Sequence, residues 1–178
     1  MVQIALAMGC AGLCILLADG MTDGIMKPLI ARPRPSMDPC LKYVVNVVSN
    51  HRGSGFSFFS AHAANTMSLA VFFSLLVRNK LFTTVMVAWS LLNCWTRLYL
   101  GLHYPIDILC GIVWGLIAGL VSYLVFRKFY FKVSPKFNYI SSQYTATGYS
   151  KVDIDVVMTV VVMILAVVML LSLPVFRL

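Results

Sequence analysis

The feature that most limits this 178-residue chain is the length of its apolar runs, several of which reach the roughly 20 residues a helix needs to cross a hydrocarbon core. With 60% of the residues hydrophobic and only 11% charged, it is far from a soluble domain, whose charged fraction is about a quarter. The fold class expected is all-α, as a multi-pass transmembrane helix bundle. Its core spans run from about Val2 to Met26, Ser60 to Val77, Leu81 to Trp95 and Pro105 to Phe126. A further span, about Val156 to Pro174, follows a polar linker in which Ser150 and Asp153 have the Ser-x-x-Asp spacing of a helix start. The organisation expected is a transmembrane core over 1–130, a polar linker over 131–152 and an additional helix over 153–178. The first span has neither a basic leading segment nor a small-residue cleavage pattern, so a removable signal peptide is not expected, although the chain could also start inside a longer protein.

The net charge of +8, from fourteen Lys and Arg against six Asp, calls for an anionic partner, and in a chain built of membrane spans lipid headgroups are nearer than nucleic acid. The clusters Arg78 to Lys80 and Arg127 to Lys132 follow the second and fourth spans, on one side of a membrane if the helices alternate. The positive-inside rule makes that side cytoplasmic. Cys10, Cys14, Cys94 and Cys110 lie in spans and Cys40 stands alone in a loop, so no disulfide framework is visible. The sequence also lacks CxxC pairs and an HExxH helix, and no metal site or cofactor is expected.

The opposite ends of the helices carry the unusual residues. In "KPLIARPRP", Lys27 and Arg34 are separated by six residues, and prolines 28, 33 and 35 stiffen the exit from the first span. Asp19, Asp23 and Lys27 share a helix face at i, i+4, i+8, which predicts an ion pair holding Lys27 inward. "GFSFFSAHAANT" puts Ser60 and His62 at the start of the second span, where unpaired amides and the helix dipole favour an anion. His51 has no identifiable partner and is left outside the site. In "TRLYLGLHYPID", His103 and Asp107 are four residues apart, so the carboxylate can take the Nδ1 proton and leave Nε2 as a nucleophile. Arg97 adds a planar fork suited to phosphate.

Taken in order, Lys-x6-Arg-Pro, Ser-x-His and Arg-x5-His-x3-Asp resemble the signature of the type 2 phosphatidic acid phosphatase (PAP2) superfamily, over about Lys27 to Asp107. The resemblance departs at Phe59 and Ala61, where the family has Pro and Gly around the serine, and at Thr96, where it has Ser. Family members of this kind commonly have six core spans with the first motif closing the third. Only one span precedes Lys27, so either the first two helices are missing or the chain is a shortened version. The resemblance implies a metal-independent lipid phosphatase in which His103 attacks phosphorus, His62 serves as acid and then base, and Asp107 orients His103. Lys27, Arg34, Ser60, Arg97 and the Ala61 amide would hold the phosphoryl oxygens.

As substrate, a polyprenyl diphosphate such as undecaprenyl diphosphate is expected at the outer face of a bacterial cytoplasmic membrane, with Arg32, Lys42 and Arg52 available for a second phosphate. Phosphatidate, phosphatidylglycerophosphate or a lipid A-type phosphate is the alternative. Two rivals remain at this stage: a vanadium haloperoxidase, against which the long apolar spans argue, and a non-enzymatic lipid-binding or transport protein, which leaves the His103 and Asp107 spacing unexplained.

Overall fold

A computed structural model describes residues 2–44, 53–133, 143–145 and 147–172 of the chain. Helix α1, Val2–Met21, continues through a π-helical turn, Thr22–Met26, into the short α2, Lys27–Ile30. The wide turn lies directly before Pro28, whose ring in a regular helix would meet the carbonyl four residues back. Ala31 then closes the rod in the left-handed conformation, φ 47°, donating its amide to the Lys27 carbonyl at 2.9 Å. The first helical rod therefore reaches Ile30, beyond the expected end at Met26.

Helix α3, Ala61–Val77, starts on Ser60, whose Oγ accepts from the Ala63 amide. It ends at Arg78, left-handed at φ 54°, with its amide on the Ser74 carbonyl. Asn79 caps the next helix, α4, Lys80–Tyr99, by accepting from the Phe82 amide at 3.0 Å. Two residues thus join α3 to α4, which returns antiparallel. The α4 helix runs four residues beyond the expected Trp95. Gly101, at φ 64°, takes the left-handed turn that brings the chain to α5, Pro105–Val133, with Pro105 in the first helical position where its missing N–H costs nothing. Helix α6, Lys151–Ser172, begins where the Ser150 hydroxyl accepts the Asp153 amide at 3.3 Å, as the spacing predicts.

At the centre, α3 packs against α5, α4 and α1. The α3–α5 seam depends on glycine. A Cβ on Gly111, Gly115 or Gly119 would lie 2.7, 2.7 or 2.5 Å from the carbonyl oxygens of Ser60, Ala64 and Ser68. These glycines recur every four residues on one face of α5 and let the two backbones approach directly. Above them Cys10, Cys14, Phe72, Leu76, Tyr123 and Phe126 form the main apolar cluster. All five cysteines are free.

Among the described residues there is no strand, only one antiparallel pairing of Tyr144 with Ser150. Two segments, Gln3–Ile30 and Pro105–Tyr130, are long and apolar enough to cross a membrane. Only 17% of the first apolar window and 39% of the second is buried inside the molecule, so neither resembles a soluble protein's core helix. Leu16, Leu109, Leu116, Leu120 and, on α6, Val156, Val160, Met163 and Val167 present apolar side chains outward. A surface of that kind suits hydrocarbon better than water.

Candidate active site

The antiparallel return of α4 sets the end of α4 beside the start of α3, and the start of α5 and the end of the first rod meet them there. These four segments, with Arg34, Gly53 and Ser54 of the loop between the first rod and α3, line a cavity of about 470 Å³. Lys27, Arg34, Ala61, His62, Arg97 and His103 all line it, gathered from positions up to 76 residues apart in sequence. Ser60 and Asp107 stand behind the wall, both fully buried. Ser60 therefore serves as the cap of α3 rather than as part of the cavity surface.

The front of the site has more positive charge than the described residues neutralise. Arg34 and Arg97 each bury Nε with no hydrogen-bond partner among the described residues, and neither guanidinium has an ion pair there. Burial pushes the Arg34 pKa down; Asp23 pulls it up and Arg97 pushes it down again. Two guanidiniums lining one cavity, neither ion-paired among the described residues, fit an anion with several oxygens. The first amides of α3, those of Ala61 and His62, also have no acceptor among the described residues. Gly53 makes room for this arrangement, since a Cβ there would lie 2.9 Å from an Arg34 terminal nitrogen.

Lys27 pairs with Asp23 at 2.5 Å, as the i, i+4 spacing predicts. Asp19 does not complete that ladder. Its carboxylate instead accepts from the Asn65 side-chain amide at 2.7 Å, tying the first rod to α3. Asp19, Asp23 and Asn65 form the acceptor-rich part of the cavity wall.

Behind the cavity the described polar groups bond to one another. His103 Nδ1 lies 2.8 Å from the Ser57 carbonyl oxygen and 3.7 Å from the nearer Asp107 oxygen. The expected direct bond from Asp107 to the imidazole is therefore replaced by a backbone acceptor. A carbonyl can only accept, so Nδ1 carries the proton, and in the neutral imidazole Nε2 then keeps its lone pair. Asp107 spends its own lone pairs on the Ser57 hydroxyl, on the Tyr104 amide at 3.0 Å and on Arg32 at 3.2 Å. Arg32 also lies 3.8 Å above the Tyr104 ring. The Tyr104 hydroxyl donates to Asp38 at 2.9 Å, and the Cys40 amide donates to the other Asp38 oxygen at 2.9 Å. Those two donors, the Cys40 amide first, hold the Asp38 carboxyl below its ordinary pKa. Burial, and then the Asp38 carboxylate, raise that of Tyr104.

This network corrects the expectation that Arg32 and Lys42 hold a second phosphate. Arg32 is bound to Asp107, Lys42 sits 4.8 Å from the Tyr43 ring, and neither lines the cavity. Arg52 and His51 lie outside the described residues. Ser57, Asn65 and the structural role of Arg32 were not visible in the spacing. The only signal for Ser57 was a small polar residue set in an aromatic run. Among the described residues no three His, Cys, Asp or Glu side chains gather as a metal site would require.

Residues 6–131 match the family model of the PAP2 superfamily. The chain is similar to a lipid A 4'-phosphatase of Bacteroides thetaiotaomicron, with 40% identity over 117 residues covering 65% of this chain and 52% of that protein. A lipid A 4'-phosphatase of Porphyromonas gingivalis is 37% identical over 118 residues, 66% of this chain and 50% of the relative. The undecaprenyl-diphosphatase BcrC of Bacillus subtilis is 33% identical over 89 residues, 50% of this chain and 43% of the relative. The chain spans about half the length of the curated relatives it matches. No solved structure matches it.

Proposed function

This chain belongs to the PAP2 superfamily, and from that premise we propose that it is the catalytic core of a membrane lipid phosphatase working through a phosphohistidine on His103, without a metal ion. The observation that carries the reading is the pair of guanidiniums, Arg34 and Arg97, whose Nε atoms are buried without a partner among the described residues, in one cavity with two histidines, one of which is pinned through Nδ1. In the first step the Nε2 lone pair of His103 attacks phosphorus, and the bond from phosphorus to the lipid oxygen breaks. His62 gives its proton to that oxygen, and the lipid leaves. Neutral His62 next takes a proton from water, whose oxygen attacks phosphorus. The phosphorus–nitrogen bond breaks, releasing inorganic phosphate and restoring His103. Throughout, Lys27, Arg34, Arg97 and the Ala61 amide stabilise the charge spread over the phosphoryl oxygens, each such donor contributing about 10²–10³ in rate.

We read the chain as a multi-pass bundle in which α1, α3, α4 and α5 cross the membrane and α6 is an added span. Arg78, Lys80, Arg127 and Lys128 occupy the helix ends away from the cavity, which supports a cytoplasmic position for them and a non-cytoplasmic one for the site.

For substrate we place a sugar-linked lipid monophosphate first. The two more similar relatives are named for lipid A, and Asp19 and Asp23 on the cavity wall would repel a second phosphate while accepting from hydroxyl or amino groups. A polyprenyl diphosphate is the second reading, supported by the likeness to the undecaprenyl-diphosphatase. Comparing kcat/KM for a phosphorylated glycolipid, a phosphatidate and an undecaprenyl diphosphate analogue in matched micelles tests the choice. A tenfold preference for the glycolipid, about 1.4 kcal/mol of transition-state binding, is expected. An equal preference for the diphosphate moves the assignment to the second reading.

A further inference from the structure

We propose that Ser57 is a positioning residue for His103: its carbonyl fixes the Nδ1 proton, and its hydroxyl ties that carbonyl to Asp107, the carboxylate 3.7 Å from the same nitrogen. The inference rests on the reading of His103 as nucleophile and adds a residue outside the three motifs. Ser57 is fully buried, and each of its polar groups has one partner. Its amide donates to the Arg32 carbonyl at 2.8 Å, its hydroxyl donates to Asp107, and its carbonyl accepts from His103 Nδ1 at 2.8 Å. The 3.7 Å separation of Asp107 from His103 Nδ1 is longer than a hydrogen bond.

Each bond has a separate consequence. The carbonyl sets the tautomer, because it can only accept. The hydroxyl anchors the peptide that bears this carbonyl, since the Asp107 oxygen it reaches is itself fixed by the Tyr104 amide. The amide joins the same residue to the strand of loop that carries Arg32, and Arg32 returns to Asp107. Ser57 and Asp107 thus form a closed circuit in which His103 is the only member facing the cavity. Removing the hydroxyl leaves the carbonyl in the chain but lets it move. Imidazole then loses its fixed acceptor, and Nε2 loses its aim at phosphorus.

The test combines turnover with the ¹⁵N spectrum of histidine-labelled full-length protein, for wild type, Ser57→Ala, Ser57→Thr, Asp107→Asn and the Ser57→Ala/Asp107→Asn double variant. Ser57→Ala is expected to lower kcat by about 10- to 100-fold, the cost of a misplaced reacting atom, while KM stays within about threefold. Ser57→Thr, which keeps the hydroxyl, should return to within about fivefold of wild type, and the double variant should be no more than about threefold slower than the slower single one, because both changes open the same circuit. The wild-type spectrum should show His103 protonated on Nδ1, and Ser57→Ala should lose that single tautomer. Wild-type kcat with an unchanged tautomer in Ser57→Ala, or losses that multiply in the double variant, would overturn the proposal. If instead wild type releases no phosphate while its His103 tautomer still depends on Ser57, the phosphatase reading fails and the positioning role stands.

Discussion

The two sides of His103 are built in opposite ways. On the cavity side, Arg34 and Arg97 each keep a buried Nε donor without an acceptor among the described residues. On the far side, Asp107, Ser57, Arg32, Tyr104 and Asp38 are joined in one hydrogen-bonded network. An unsatisfied buried charge costs stability and persists where a ligand supplies the missing partner. A connected network defines one geometry. The front is therefore specialised for binding charge and the back for aiming a nitrogen, and the same substitution type should have different effects in the two places.

The sharpest separation is expected from paired variants. Arg97→Ala should lower kcat/KM by about 10²–10³ while leaving the denaturation midpoint unchanged or raised, because it removes an uncompensated charge. Asp107→Ala should lose activity and also about 1–3 kcal/mol of stability, since the buried Ser57 hydroxyl loses its acceptor while the part-exposed Arg32 can turn to solvent. Chemical denaturation of the detergent-solubilised protein, run beside the phosphate assay, measures both. Equal destabilisation by the two variants would erase the distinction between front and back.

A smaller effect is expected where the comparison reaches the scaffold. Gly115→Val forces a Cβ to within 2.7 Å of the Ala64 carbonyl, and the α3–α5 seam must part to admit it. The cost expected is about 1–3 kcal/mol of stability from overpacking, with activity falling only as His62 and His103 drift apart. Gly12→Ala, on α1 with nothing near its Cβ, should be neutral in the same denaturation assay.

How much of this was legible in the sequence follows from the kind of contact involved. The helices, the Asp23–Lys27 pair and the Ser150 cap depend on spacings of three or four residues, which a linear reading exposes. Lys27, Arg34, His62, Arg97 and His103 were found because their side-chain chemistry is unusual in apolar surroundings, and one cavity unites them. The acceptor for His103 was misassigned because it is a backbone carbonyl 46 residues away, a group every residue carries. A loop arginine such as Arg32 looks the same in sequence whether it faces substrate or Asp107, so its charge alone points to phosphate. The glycine seam escaped notice because its effect is a close approach, visible only once two helices are placed side by side.

Two weaker tests bear on the front alone. Orthovanadate should inhibit by taking the trigonal-bipyramidal geometry of the transferring phosphoryl group, and EDTA should leave turnover unchanged. Magnesium-dependent recovery after EDTA would show that the arginines and lysine do not suffice. Cys40 is exposed on the loop strapped to Tyr104, so a membrane-impermeant thiol reagent should label it in intact cells if the cavity faces away from the cytoplasm. Labelling only after lysis would place the site on the inner face.

The central claim, that His103 receives the phosphoryl group, is tested most directly by acid-quenching the protein during turnover of a ³²P-labelled lipid phosphate and locating the label. The expected result is label on His103, absent in His103→Ala, which should have no turnover, and increased in His62→Ala, where hydrolysis of the intermediate lacks its base. Label on any other residue, or wild-type turnover by His103→Ala, would contradict the account.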